Sequence, residues 1–518
     1  MLLGTPPDKS ATPATTISRN VALSLARVVV NSLVALVLPA YLTQHLPVTT
    51  YGAWVLILQL AAFVSFLDFG VQTGVAKFVA EYDALGDVTG AGRHASAGFA
   101  MMALAGMLGL GITLILAWQV PRLFHNMPEA LYRDVRISVL LVGASLSFGL
   151  LCSVFSALFI GLQQYAIPTA ISILNRTLYT LTVCITVYFH GSLIAMGVMV
   201  ALINVSTGLL QVVAWRKKLS QIQIFLGNVD PTILKHMLNY CLVLAIWSAA
   251  MLCISGLDVT IVGHYDFKET GYYSLATLPA NLIISIISSS LGPFLPAASA
   301  LSTQRSPLAM GNILSRVTRY STILILLTGL PLLVSGYPIL RLWVGPVYAL
   351  HSVRYLQVLV LATMLRNLCL PYVTMVVATG KQRVATAAAI SEAIVNLGSS
   401  IYLARSFGAV GVAMGTLLGA FVSVAMHFTF SMYYTHSTIL ISRIQLLVGA
   451  FLRPALIAIP SLLLFSFGKT FLAEPLSLHL WLFWAIATLL VAWFGTLNAN
   501  ERSALLRISR IKLPVRQE

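Results

Sequence analysis

NVALSLARVVVNSLVALVLPAYLT, from Asn20 to Thr43, carries a single charge, Arg27, in 24 residues. As a helix this run spans about 36 Å, more than the roughly 30 Å of hydrocarbon in a bilayer. Thirteen further windows of the same kind follow, at 53–79, 96–119, 137–160, 167–189, 192–214, 237–262, 272–297, 320–343, 353–377, 385–404, 409–434, 446–467 and 479–496. The whole chain agrees with them. Of its 518 residues 58% are hydrophobic and only 9% charged, and the mean hydropathy is +0.90. Soluble domains carry about 25% charged residues, so a water-facing globule is excluded, as are disordered and disulfide-stapled secreted chains. No barrel-type alternation appears, so the backbone must satisfy itself within helices. The fold class expected is an all-α polytopic membrane protein with about 14 transmembrane helices.

The net charge of +16 reads as topology, with no nucleic-acid partner. If the N-terminus is cytoplasmic, inner segments hold 18 of the 31 Lys and Arg and outer segments seven. That bias puts both termini inside, which an even helix count also requires. The first apolar run is too long for a signal-peptide core, so no cleavage is expected. The five cysteines all sit in apolar stretches with no C-x-x-C spacing, and read as packing residues. No metal site and no cofactor are expected.

A repeat is visible in the spacing. Thr50-Tyr51-Gly52 before the second helix resembles Thr270-Gly271-Tyr272 before the eighth, with the glycines 219 apart. Gly161-Leu162-Gln163 and Gly380-Lys381-Gln382 are also 219 apart, and Met196-Gly197 and Met414-Gly415 are 218 apart. The division expected is a tail (1–18), an N-lobe of helices 1–6 (19–215) and a cytoplasmic linker (216–235). A C-lobe of helices 7–12 (236–436), two extra helices (437–500) and a basic cytoplasmic tail (501–518) complete it. Six helices per lobe is even, so the lobes are related by a pseudo-two-fold along the membrane normal. Two such bundles around a cleft imply alternating access, and Pro39 and Pro279 are positions where a span can bend.

Intramembrane charges cost about 2.5–3.5 kcal/mol each on insertion scales, so each asks for a reason. Arg27 and Asn31 share one face of helix 1, and Asp68 and Gln72 one face of helix 2, by their i,i+4 spacing. Arg27 and Asp68 fall in the same cytoplasmic half of the membrane, where the two can pair. Arg176, beside Asn175, falls near mid-membrane in helix 5. In the second half, Asp258 lies in helix 7, while Arg366 and Glu392 can neutralise each other as a folding device or as part of a gate. Arg453 and Lys77 read as snorkelling side chains. Arg27 and Arg176 against Asp68 leave a positive cavity suited to an anion. Guanidinium suits phosphate because it stays charged and offers a two-pronged fork.

The run Tyr51-Gly-Ala-Trp-Val-Leu-Ile-Leu-Gln-Leu, then Phe66-Leu-Asp68-Phe-Gly70-Val and Phe78-Val-Ala-Glu81, resembles the second helix of bacterial lipid-linked oligosaccharide flippases. These belong to the multidrug/oligosaccharidyl-lipid/polysaccharide exporter superfamily. Leu257-Asp258-Val-Thr-Ile-Val-Gly263 with Gly271-Tyr-Tyr273-Ser-Leu-Ala276 is similar to the family's helix 7 to helix 8 junction, and Gly161-Leu-Gln163-Gln-Tyr165 to a further turn. The resemblance covers helices 1–12. It implies two lobes around a cationic cavity that moves an undecaprenyl-pyrophosphate-linked oligosaccharide between leaflets of the bacterial inner membrane. Its partners would be that lipid-linked glycan, membrane lipid, a coupling proton or sodium ion, and glycan polymerase or assembly proteins. Carry-over reaches Asp68, Asp258, Gly161 and Gln163. Arg27, Asn31, Gln72, Asn175 and Arg176 are substrate-binding candidates read from the residues themselves. Asp68, Asp258, Arg366 and Glu392 are candidates for ion coupling or gating. The alternative function is a cation-coupled multidrug exporter, which calls for mid-membrane carboxylates. An enzyme is not expected, because no outer loop carries an acid–base constellation.

Overall fold

The computed structural model describes residues 13–225, 227, 229–303, 306–461, 478–496 and 502. Of the expected tails 1–18 and 501–518, residues 1–12, 501 and 503–518 lie outside the described residues, whereas 13–18 belong to the first helix, Pro13–His45. The chain is an all-α multi-pass membrane protein, and no strand occurs among the described residues. It divides into two compact units, Met1–Leu275 and Ala276–Glu518.

The first unit holds α1 (Pro13–His45), α2 (Val48–Ala62), α3 (Val71–Ala84), α4 (Val88–Leu123), α5 (Glu129–Gly161), α6 (Ala166–Tyr188) and α7 (Leu193–Lys218). α8 (Pro231–Met251), α9 (Asp258–Tyr265) and the start of α10 (Thr270–Leu291) complete it. α5 lies at the centre, packed on α2, α3, α4 and α7, while α6 bridges α1 and α7. The second unit continues with α11 (Phe294–Thr303), α12 (Pro307–Val334), α13 (Gly336–Val344), α14 (Pro346–Asn367), α15 (Leu370–Ala378) and α16 (Gln382–Met426). It ends with α17 (Met432–Thr435), α18 (Arg443–Leu446), α19 (Arg453–Ala455) and α20 (Leu478–Leu490).

Among the described residues ten helices are long and apolar enough to cross a membrane. The difference from fourteen windows has local causes. The helical stretch Gln382–Thr435 covers both the eleventh and the twelfth, because the chain breaks at Gly408, where φ is 55° and ψ −137°. The seventh is a pair bent by 41°, Pro231–Leu242 and Leu244–Gly256. The first lies in α1, and the last in α20 with the π turn Val491–Thr496. The ninth shifts: α12 starts at Pro307, well before the window, and stops at Val334, and the short α13 follows.

The second helix is one span with a break in its middle. A 3-10 segment, Phe63–Asp68, ends on Phe69 and Gly70, both left-handed at φ 46° and 74°. Glycine is needed at 70 for two reasons: its φ, and a close approach, since a Cβ there would lie 2.5 Å from the Leu244 side chain. The stretch 216–235, expected as a linker, lies inside the first unit and packs within it. Leu219 and Ile222 are buried, Trp215 Nε1 donates to the Ile222 carbonyl at 3.0 Å, and the Phe225 amide donates to Ser96 Oγ at 3.1 Å. Where the linker meets α8, Thr232 donates to the Asp230 carboxylate through hydroxyl and amide, which holds that acid below its usual range.

Gly52 and Gly271, which the 219-residue spacing pairs, abut: a Cβ on Gly52 would lie 3.4 Å from the Gly271 nitrogen. Gly70→Val is expected to cost at least about 2 kcal/mol in thermal unfolding of the purified protein, from left-handed strain and overpacking together. Adding Leu244→Ala should recover part of that loss. A Gly70→Val protein as stable as its parent would contradict this account of the break.

Candidate functional site

The candidate residues of the first unit cluster around helix breaks. Asp68 closes the 3-10 segment, half-buried, and its Oδ1 accepts the Gln72 amide at 3.2 Å. In a bilayer a freed backbone N–H has no water to turn to, so this carboxylate is the cap that lets α3 begin. Asp258 also stands at a break, in the seventh helix. It follows the π turn Leu252–Gly256, opens α9, is buried, and accepts from the Tyr273 hydroxyl at 3.4 Å. The two breaks touch: Gln59 Nε2 on α2 donates to the Gly256 carbonyl, and the Phe66 ring lies 3.2 Å from where a Gly256 Cβ would sit.

Arg27 and Asn31 are both exposed on α1, in line with their shared face. Among the described residues no ion pair joins Arg27 to Asp68, whose hydrogen bond goes to the backbone instead. α1 packs along α6, and Tyr41 OH donates to the Cys184 carbonyl at 3.3 Å. The helices run parallel, being four passages apart. Counting back from that bond at about 1.5 Å per residue puts Arg27 about 21 Å and Arg176 about 12 Å away, a stagger of about 9 Å. Arg176 is half-buried, with its guanidinium 5.4 Å from the Tyr179 ring centroid. Its Nε is buried and makes no hydrogen bond. Its neighbour Asn175 is committed elsewhere: Nδ2 donates to Thr207 Oγ1 at 3.0 Å and to Asn204 Oδ1 at 3.4 Å. Asn204 Nδ2 in turn donates to Ser145 Oγ at 3.0 Å, so one polar chain ties α6, α7 and α5.

In the second unit Arg366 Nε is bonded to Glu392 Oε1, an ion pair between α14 and α16. The side chains are 20% and 5% exposed, so the pair is largely withdrawn from solvent, and Arg366 Nη2 is buried without a hydrogen bond. The structure thus joins Arg366 with Glu392 and Asp68 with Gln72, while Arg27 and Arg176 occupy neighbouring helices. Sequence reading assigned no role to Gln59, Asn204 or Tyr273. A polar side chain inside an apolar helix was the available signal, but its partner is 197 residues away for Gln59.

No protein-family model and no curated protein sequence matches this chain. Solved structures do. The structure is similar to a multidrug resistance MATE family transporter of the MOP superfamily in its inward-facing conformation, at 17% identity and TM-score 0.63, covering 79% of this chain and 98% of that one. It is similar to the lipid II flippase MurJ in an inward closed conformation, at 12% identity and TM-score 0.68, covering 95% and 100%. A third likeness is to a MOP superfamily transporter from Pyrococcus furiosus, at 15% identity and TM-score 0.58, covering 83% and 97%. The chain therefore has the fold of MOP superfamily transporters, and these neighbours are transporters and a flippase rather than enzymes.

Breaking the withdrawn ion pair from one side leaves a charge stranded. Glu392→Ala is expected to cost about 3–5 kcal/mol in detergent-solubilised unfolding, while the double replacement Arg366→Met with Glu392→Leu should cost much less. Equal losses for the single and double variants would remove the pair from the stability of this unit.

Proposed function

We propose that the chain is a flippase. It moves an undecaprenyl-pyrophosphate-linked oligosaccharide from the inner to the outer leaflet of the bacterial inner membrane by alternating access, for polysaccharide biosynthesis. The observation that carries this reading is the arginine pair on α1 and α6. Arg27 is exposed, Arg176 has a buried Nε with no hydrogen bond, and among the described residues neither has a carboxylate in an ion pair. A pyrophosphate cannot cross hydrocarbon unaccompanied, and two guanidinium forks at a stagger of about 9 Å offer it charge and paired donors. Asn31 and Gln72 lie within one turn of Arg27 and Asp68 and serve sugar hydroxyls, while Asn175 acts by holding the helix that carries Arg176. The polyprenyl tail stays in lipid. The likeness in fold to the lipid II flippase MurJ supports the same reading.

The lobes are 19–215 and 236–436, with 216–235 as a cytoplasmic linker, 437–500 as added helices and both termini cytoplasmic, on the strength of the repeat spacing and the basic bias. Asp68, Asp258, Arg366 and Glu392 couple or gate transport with a proton or sodium ion, and glycan assembly proteins are the partners. A cation-coupled multidrug exporter is the second reading, favoured by the likeness to MATE transporters. It is weakened by the charge of the candidate binding residues on α1 and α6, which are arginines where a cationic substrate calls for carboxylates.

The test is accumulation of lipid-linked glycan on the inner leaflet of cells whose only copy carries Arg27→Ala or Arg176→Ala. Losing a charge-assisted hydrogen bond of about 1.5–3 kcal/mol should slow transport about ten- to a hundredfold. Arg→Lys at either position should recover it only in part. Full glycan export by correctly inserted alanine variants would sink the assignment, and glycan-independent efflux of a lipophilic cation would favour the exporter.

A further inference from the structure

The two helices that carry the arginines of the proposed route, α1 and α6, end in a group of aromatic rings. Tyr41, fourteen residues after Arg27, donates its hydroxyl to the Cys184 carbonyl at 3.3 Å and so ties the last turns of the two helices together. The His45 ring stacks on that of Tyr41, with centroids 4.1 Å apart and planes 25° from parallel. One turn after Cys184 comes Tyr188, within electrostatic reach of the Tyr41 hydroxyl. Phe189, just past the end of α6, meets the Tyr188 ring edge to face, at 5.4 Å and 85°. Tyr188 and Phe189 are 68% and 75% exposed, and His45 is exposed as well.

Residue type and depth set these rings apart from the rest of the exposed face of α6. That face is aliphatic at Leu174, Leu178, Leu181 and Ile185, as contact with acyl chains requires, and turns aromatic only at its last residues. With Arg176 near mid-membrane, Tyr188 stands twelve residues and about 18 Å further along the helix, past the roughly 15 Å of one half of the hydrocarbon core. The rings therefore lie where the medium is wet. His45 Nδ1 is bonded to the Tyr41 carbonyl at 2.8 Å, and because a carbonyl only accepts, the proton is on Nδ1. In the neutral ring Nε2 is then an acceptor.

We infer that Tyr41, His45, Tyr188 and Phe189 form a stacking platform for sugar rings, which receives the glycan head at the end of α1 and α6 away from the arginines. This rests on the flippase reading and deepens it. One face of a pyranose is a patch of C–H groups carrying partial positive charge, which the negative face of an aromatic ring attracts. The hydroxyls around the sugar's rim need hydrogen-bonding partners, and His45 Nε2 and the Tyr188 hydroxyl stand beside the rings to supply them. Stacking asks for a flat ring rather than for one fixed sugar, so it suits a head group of several residues that must be held briefly and let go.

The experiment is saturation-transfer NMR on the full chain in lipid nanodiscs, with free oligosaccharides of glucose and of N-acetylglucosamine that carry neither pyrophosphate nor prenyl tail. The parent should transfer saturation to the ring C–H protons of at least one of them. Tyr188→Leu with Phe189→Leu should weaken that binding about tenfold, whereas Tyr188→Phe with Phe189→Tyr, which keeps both flat rings, should hold it within about twofold. Both side chains are exposed, and leucine is apolar enough to serve a membrane anchor, so the first pair tests stacking rather than folding. Equal binding by the leucine variant and the parent, or no oligosaccharide bound by the parent, would overturn the platform and leave these rings as an interfacial aromatic belt. The measurement needs no transport, so the two readings fail separately. Sugar binding that depends on the rings, together with normal glycan export in Arg27→Ala cells, would uphold the platform and overturn the pyrophosphate assignment. The reverse pattern would overturn the platform and spare the flippase.

Discussion

A helix that stops inside a bilayer exposes amides and carbonyls to a medium that cannot bond them, and much of this chain's intramembrane polarity answers that problem. Asp68 accepts the Gln72 amide where α3 resumes after Phe69 and Gly70 turn left-handed. Asp258 opens α9 after a π turn, and Gln59 takes the Gly256 carbonyl from that same turn. Arg453 does the equivalent for Gly495. These breaks are thus matched by side chains whose polar atoms would otherwise be a burden in lipid.

This changes how the charges are weighed. A carboxylate within a span looks like an ion site by its cost alone, yet Asp68 has a backbone partner within its own helix. The arginines divide similarly. Arg366 is neutralised by Glu392 and Arg453 is bonded to a carbonyl, whereas Arg27 is exposed and Arg176 holds a buried Nε without a hydrogen bond. The last two are therefore those that the helix breaks and the ion pair leave without explanation, which is why the transport reading rests on them. Arg176 does gain from the face of Tyr179, but a cation–π contact is weak beside a charge-assisted hydrogen bond.

Breaks also set what can bend. Glycine at 70 admits both the left-handed turn and the close approach of Leu244, and Gly408 divides what would be one 54-residue helix into two passes. Such points concentrate backbone freedom at a few residues while the intervening helices stay rigid, the arrangement that rocking or bending motions of transporters require.

Hydrophobic length is a local property, so the sequence by itself determined that the chain is helical and crosses the membrane many times, and placed most spans within a few residues. Periodic spacing likewise marked Arg27 with Asn31 and Asp68 with Gln72 as sharing helix faces, and the arithmetic of charge cost paired Arg366 with Glu392. Partner choice is a different matter. Asn175 reads as a free amide beside an arginine until Asn204 and Thr207 are brought to it from α7, and Gln59 is unremarkable until Gly256 arrives from 197 residues away. Likewise the 219-residue spacing of Gly52 and Gly271 suggests a repeat in the chain but says nothing of the contact they make in the molecule. Only tertiary structure decides these, because a hydrogen bond depends on a few ångströms between atoms that no spacing along the chain encodes.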